Sequence, residues 1–315
     1  MRALVFDGKL HLRTDYPDPV PAPGESIVKI SLAGVCGTDL EITRGYMEYR
    51  GVPGHEFVGR VVQSEIASLA GKRVVGEINA SCRTCNSCID GMGRHCPTRT
   101  VLGILGRDGA FAEYLRLPNA NLFSLPDSVT DEAAVFTEPF AAACEIFDQT
   151  HLKRTDRIAV LGDGRLGALV ALALRGENFA PVVAGHHPEK LKRLAALGLQ
   201  TQSADELAPG YDAVVDCTGQ SAGFSSAIAL VRPRGTVILK STAAAGAAMN
   251  LAPVVINEIT IIGSRCGRFG PAIDALAARK FDPRPLIDAT YSLDDGVAAF
   301  TAAADKSKFK IVIRP

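Results

Sequence analysis

Two hydrophobic patterns follow one another along this chain, and the change falls near residue 140. Before it, short runs rich in β-branched and apolar residues are broken by Gly and Pro: SIVKISLAGV, FVGRVV, KRVVGEI and FAEYLRL. Such runs predict the strands of a β-rich domain. After it, apolar strand-like runs alternate with helical ones. RIAVL (157–161) leads into a helical run from Arg165 to Arg175. PVVAG (181–185) leads into PEKLKRLAALG, an amphipathic helix with Pro188 in its first turn and Gly198 at its end. DAVVD (212–216), GTVIL (235–239) and ITIIG (259–263) bring the strands to five. Apolar strands separated by helices predict a parallel sheet covered on both faces, so the fold class is α/β. From about Cys266 come a helix (PAIDALAARK), an extended stretch, a second helix (DDGVAAFTAAA) and a last strand, FKIVI. That tail is too small for a domain and is expected to return to the first one.

Composition narrows the function. The 315 residues suggest one large or two medium domains with room for a sizeable core. Lys plus Arg and Asp plus Glu balance at 34 each, which gives no global support for binding nucleic acid or an acidic membrane. No apolar run approaches a membrane span. The opening residues, with Asp7 early and no long apolar run, do not read as a secretion signal. The expected compartment is the cytoplasm, where clustered cysteines bind metal more often than they form disulfides.

The first chemical motif closes the first strand of the alternating half. GDGRLG places Gly162, Gly164 and Gly167 in G-x-G-x-x-G, directly after a strand and opening a helix through Arg165 and Leu166. In that context the motif binds a dinucleotide: one glycine for the turn, one for close approach of a pyrophosphate, one for helix–strand packing. The phosphates then sit at the positive end of the helix. NAD sites usually carry an acid at the end of the second strand to hold the ribose 2′-OH. Here Gly185, His186 and His187 stand in that place, with Lys190 nearby. The missing acid favours NADP over NAD, and Gly185→Asp is expected to move the preference towards NAD.

Cys82, Cys85, Cys88 and Cys96 form C-x2-C-x2-C-x7-C. Four thiolates can wrap one tetrahedral ion and leave no open position, which makes a structural zinc the leading reading. Iron–sulfur ligation is the rival, weakened by a final gap of seven residues where the bacterial pattern has three. Disulfides are weaker still. A second set is scattered: Cys36 in GVCGTD, His55 and Glu56 in GHEF, and Glu138 in TEPF. A thiolate, an imidazole and one or two carboxylates can hold an ion with an open position for water or substrate. Spacing alone does not assemble that site.

The ordered motifs resemble the zinc-containing medium-chain alcohol dehydrogenase family, nearest its polyol and threonine dehydrogenase branch. The resemblance runs nearly end to end: MRALVF, PAPGE (21–25), GVCGTD, PGHEFVG, the cysteine lobe, the glycine loop, VVDCTG, LKST and DPRPLI. It implies a GroES-like β-rich catalytic domain over 1–139 and 266–315, with a structural-zinc lobe at about 80–97, and a doubly wound Rossmann domain over 140–265. It implies catalytic-zinc ligation by Cys36, His55 and Glu138, with Glu56 a ligand or a neighbour of the ion. Asp39 would orient His55, and Thr38 would accept the substrate's proton. The relay often ends in a histidine where this chain has Glu41. Cys217, Thr218, Lys240, Ser241 and Thr242 would line the cofactor, and Arg265 would contact cofactor or substrate. The implied reaction is hydride transfer between NAD(P) and a secondary alcohol, polyol, sugar or amino alcohol, with two zinc ions per chain. Zinc would act as Lewis acid, and cleft closure would exclude water. A dimer or tetramer is expected. A zinc-independent quinone or enoyl reductase and a non-catalytic cofactor-binding relative are the alternatives.

Overall fold

The computed structural model describes residues 1–241 and 249–315. The chain forms two compact units, one of residues 1–138 and 269–315, the other of residues 139–268.

The first unit is built on a seven-stranded sheet. Its path runs Leu122–Ser124, Arg73–Gly76, Glu56–Gln63, Glu25–Gly34, Lys310–Arg314 and Ile287–Ser292, and Tyr114–Pro118 also pairs with Glu25–Gly34. The long strand Glu25–Gly34 is buried at eight of its ten positions, because neighbours pair with it on both sides. The last strand, Lys310–Arg314, pairs antiparallel with its end, through Val312–Gly34 and Ile313–Ala33. The tail therefore packs into the same sheet as the N-terminal strands. Its extended stretch is a short 3-10 turn, Arg284–Leu286, followed by the strand Ile287–Ser292. Phe111 meets Phe300 of the tail helix edge-to-face at 5.3 Å, and Leu4, Leu32, Ile42, Leu115 and Phe309 fill the interior around them. Each such side chain contributes about 1.5–3 kcal/mol when fully buried.

The second unit is a six-stranded parallel sheet. The strands lie in the order Gln200–Ser203, Val182–Gly185, Ile158–Leu161, Tyr211–Asp216, Val231–Leu239, Thr260–Gly263. Counted along the chain this is 3-2-1-4-5-6, the doubly wound dinucleotide-binding arrangement. All four residues of Ile158–Leu161 are buried, as the apolar run requires of a central strand. Gln200–Ser203 is a sixth strand that the hydrophobic pattern did not mark. It sits at the sheet edge, is polar throughout and is held by its ladder to Val182–Gly185. The helix Ser221–Leu230 was also unmarked, since small residues such as Ala222, Gly223 and Ala227 replace a clear amphipathic stripe.

Candidate active site

Asp39 organises the first unit's site. The helix Gly37–Ile42 begins just after Cys36, and Asp39 in its first turn reaches back to accept the Cys36 backbone N–H at 2.8 Å. Its other oxygen accepts the Gly54 N–H at 3.1 Å and lies 3.3 Å from His55 Nδ1, within ion-pair range but not aligned as a hydrogen bond. One fully buried carboxylate thus ties the Cys36 turn to the His55 segment, though the two are 19 residues apart. Burial works against a charged His55 ring, but the Asp39 carboxylate and the Cys36 sulfur outweigh it and raise its pKa well above the usual histidine value. A group fixed in this way beside a ligating imidazole sets ring orientation and basicity.

Candidate ligand atoms of Cys36, His55 and Glu56 all lie within 4.8 Å of one another. His55 and Glu56 are buried. Glu56 passes directly over Gly34, where a Cβ would land on its Oε2, so a larger residue there would displace that carboxylate. Glu138, in the first turn of the helix Thr137–Gln149, stands outside this compact set among the described residues. Its carboxyl is pushed up to about 7, mainly by desolvation; His55 opposes the shift, while Glu56 and Glu77 add to it. The Thr38 hydroxyl is 3.9 Å from Cys36 Sγ. Glu41 is turned to Arg44, whose Nη1 donates to it at 2.6 Å.

Lys310 is the residue that sequence reasoning missed. Its Nζ donates to Glu56 Oε2 and, at 3.5 Å, to the Val35 carbonyl, and it sits 5.6 Å from the Phe136 ring centre. Both members of the ion pair are buried. The signal was present: a lysine at the head of a mainly apolar terminal strand, when buried, has to find a partner.

The four-cysteine lobe is compact. Sulfur–sulfur distances are 3.5 Å for Cys82–Cys96 and Cys85–Cys88, 3.8 Å for Cys85–Cys96 and 3.9 Å for Cys82–Cys88. Thiolates about 2.3 Å from one tetrahedral ion stand about 3.8 Å apart, so the donor set fits a single closed site. A disulfide would need about 2.05 Å. Hydrogen bonds from the Thr84 backbone and hydroxyl bring the Cys82 thiol down to about 5, towards the thiolate a metal needs.

The glycine loop of the second unit fits a dinucleotide. Gly162 has φ 109°, a conformation that favours glycine. A Cβ on Gly167 would land on the Gly162 carbonyl, and one on Gly164 would meet open space. The helix Arg165–Gly176 opens with no side-chain cap and no acid in its first turn, with Arg165 and Leu166 half-buried. Its leading N–H groups and dipole are suited to phosphate.

Several expected cofactor contacts are engaged elsewhere. Lys240 is buried, and its Nζ donates to the Ala142 carbonyl, to Ser264 Oγ at 3.0 Å and to the Arg265 carbonyl at 3.1 Å. It holds backbone segments together. Lys190 is also buried. Cys217 lies at a strand end with its thiol pushed up to about 12 by burial. Thr218 bonds Asp216 through its N–H and hydroxyl, at 2.9 and 2.8 Å, and Ser241 Oγ accepts the Gly219 N–H at 2.8 Å. These loops are tied together at the sheet's carboxyl edge. Arg265 is exposed, and Thr242 lies outside the described residues.

The expectation of NADP rested on the lack of an acid at the end of Val182–Gly185, and that strand end carries none. The fold supplies one from another segment: Asp163 of the glycine loop lies against Gly185, so closely that a Cβ on Gly185 would land on Asp163 Oδ2. Gly185→Asp would therefore collide with a carboxylate already in place. Both histidines have acidic neighbours, while their side chains stay 67% (His186) and 46% (His187) exposed. His187 Nδ1 is 2.9 Å from Asp163 Oδ1, and His186 Nδ1 is 3.7 Å from Asp205 Oδ2.

Comparison with known proteins agrees with both units. Residues 22–127 match the alcohol dehydrogenase GroES-like domain, and residues 166–279 match the zinc-binding dehydrogenase domain. The chain is 30% identical to an L-threonine 3-dehydrogenase of Streptomyces coelicolor, over 95% of this chain and 94% of that protein. It is 27% identical to a sorbitol dehydrogenase of Halalkalibacterium halodurans, over 96% and 94%. A solved structure from Escherichia coli CFT073, described as a short chain alcohol dehydrogenase (rspB) complexed with cofactor NADH, superposes with a TM-score of 0.90 at 26% identity, covering 100% of this chain and 99% of that one. With a GroES-like unit, a Rossmann unit and relatives of this kind along nearly its whole length, the chain belongs to the zinc-type medium-chain dehydrogenases, in their polyol and threonine dehydrogenase branch.

Proposed function

We propose that this chain is a zinc-dependent dehydrogenase that holds one catalytic ion at Cys36, His55 and Glu56 and one structural ion at Cys82, Cys85, Cys88 and Cys96. The observation that carries the proposal is the gathering of Cys36, His55 and Glu56 within 4.8 Å around the Asp39 bridge. When bound, zinc supplies Lewis-acid activation of an alcohol oxygen, and the nicotinamide accepts the hydride. The chain's own residues do the rest. Asp39 fixes the His55 ring and the Cys36 turn. Thr38 Oγ1, beside Cys36, takes the proton released by the alcohol. Glu41 stands on the same short helix, where the outer end of the relay is expected, and is paired with Arg44. Lys310 holds the Glu56 carboxylate in one orientation. Glu138 stays close as a second, weakly acidic carboxyl. The catalytic domain is read as 1–139 with 266–315 and the dinucleotide-binding domain as 140–265, a reading that the two compact units, 1–138 with 269–315 and 139–268, support. The substrate class is a secondary alcohol, polyol, sugar or amino alcohol, as the names of the sorbitol and threonine dehydrogenases suggest. A homo-oligomer is the expected assembly.

Metal content tests this directly. Elemental analysis of the purified chain should give about two zinc ions. Cys36→Ser should lose one of them together with dehydrogenase activity, and Cys85→Ser should lose the other. A single zinc removed only by Cys85→Ser would leave the Cys36 set without a catalytic role, and iron with labile sulfide would overturn the reading of the lobe.

A further inference from the structure

The case concerns a carboxylate in a place the chain order does not reveal. Asp163 is the residue between the first two glycines of the loop, and it is only 5% exposed. Its position is fixed from two sides. Gly162 N–H donates to the Ala184 carbonyl at 2.8 Å, which ties the loop to the end of the second strand, Val182–Gly185. Asp163 Oδ2 accepts the His187 backbone N–H at 2.8 Å, and both carboxylate oxygens face His187 Nδ1, at 2.9 and 3.1 Å. The side chain therefore lies across Gly185, and only a residue without a Cβ leaves it room.

That position has a chemical meaning. Doubly wound folds hold the adenosine ribose beside the end of the second strand, where a carboxylate accepts from the 2′-OH and repels a 2′-phosphate. In most such chains the strand itself carries the acid. Here the strand ends in glycine, and the glycine loop delivers the acid across the gap. A carboxylate offers about four lone-pair sites. Oδ2 accepts the His187 N–H and the ring nitrogen faces both oxygens, which together use two of those sites and leave acceptor capacity for a hydroxyl. The loop that cradles the pyrophosphate would thus also read the ribose.

We propose that Asp163 is the residue that selects the cofactor, and that it makes this enzyme take NAD in preference to NADP. The proposal rests on the dehydrogenase reading above but not on its zinc. Nucleotide binding alone tests it, without turnover. Calorimetry should show ADP-ribose binding at least about tenfold more tightly than its 2′-phosphorylated form, and NAD more tightly than NADP by a similar factor. Asp163→Asn keeps an oxygen to accept the His187 N–H but removes the charge. It should cut the discrimination about tenfold, chiefly by tightening the phosphorylated ligands. His187→Ala, which keeps the carboxylate, should keep the preference for NAD. Should Asp163→Asn fold poorly, the wild-type ratio still decides: a wild type that prefers NADP overturns the proposal. So does an Asp163→Asn protein that binds both forms with the wild-type ratio. Wild-type protein that binds neither NAD nor NADP overturns the dehydrogenase reading itself, a result distinct from an unchanged ratio.

Discussion

Lys310 opens the mainly apolar terminal strand Lys310–Arg314 directly after Phe309, and both side chains are buried. A lysine there carries a charge that only a matched carboxylate makes tolerable. Glu56 is that carboxylate, and in the metal-free chain each would be an uncompensated buried charge without the other. Lys310→Met is therefore expected to cost about 3–5 kcal/mol in urea unfolding of the metal-free protein, by orphaning Glu56. Lys310→Met combined with Glu56→Gln should cost clearly less than the two single changes added together. Strict additivity would mean that the pair is not coupled. At this scale the chain itself announced Cys36, His55, Glu56 and the four lobe cysteines as chemistry-bearing types. It could not announce which groups Lys310 and Asp163 would meet. Their roles come from neighbours 254 and 24 residues away in the chain, and no local spacing encodes such distances.

Among whole elements, the strands and helices with one strong hydrophobic period were legible. Ile158–Leu161, Val182–Gly185 and the helices Arg165–Gly176 and Pro188–Ala196 fall where the pattern puts them. Gln200–Ser203 was hidden, because its strand character comes from a neighbour's free edge and not from its own side chains. Elements are also joined at their polar ends. Asp212, in the strand Tyr211–Asp216, accepts from Arg232 Nε at 2.6 Å and from the Arg157 backbone N–H at 2.8 Å. These donors, Arg232 first, hold its carboxyl below the usual carboxylate range. A depressed folded pKa means stability that is complete above the unfolded value, about pH 4, and is lost as pH falls through the folded value. Asp212→Asn should cost about 0.5–1 kcal/mol near neutral pH, as suits a partly exposed pair. The gap between variant and wild type in thermal unfolding should narrow as pH falls below about 4 and through the folded value, as Asp212 becomes protonated in both states. A gap that persists unchanged in acid would show that the carboxylate's charge is not what matters.

For the whole molecule, one edge of the six-stranded sheet calls for a partner. Thr260–Gly263 pairs with Val231–Leu239 on one side, and among the described residues nothing pairs with the other. Val255 and Ile256 beside it are each 77% exposed, and Ile261 on the strand is 37% exposed. An uncovered apolar edge is a hazard unless a second strand closes it, and a two-fold partner is the commonest way. Light scattering should find a dimer or larger assembly, and Ile261→Lys should shift it towards monomer. A wild-type monomer at micromolar concentration would end this reading. No helix among the described residues is long and apolar enough to cross a membrane. The sequence by itself determined the two hydrophobic regimes, the glycine loop after a strand and the residue types able to hold metal, because these are local properties of period, backbone freedom and donor chemistry. Tertiary structure alone decided which donors meet. It bridged Cys36 to His55 through Asp39, left Glu138 outside their compact set and buried Lys240 among carbonyls. It also carried Asp163 to the end of a strand that has no acid of its own. Those outcomes depend on which segments fold against one another, and two oxygens or sulfurs can share an ion or a hydroxyl only when packing brings them within a few ångströms.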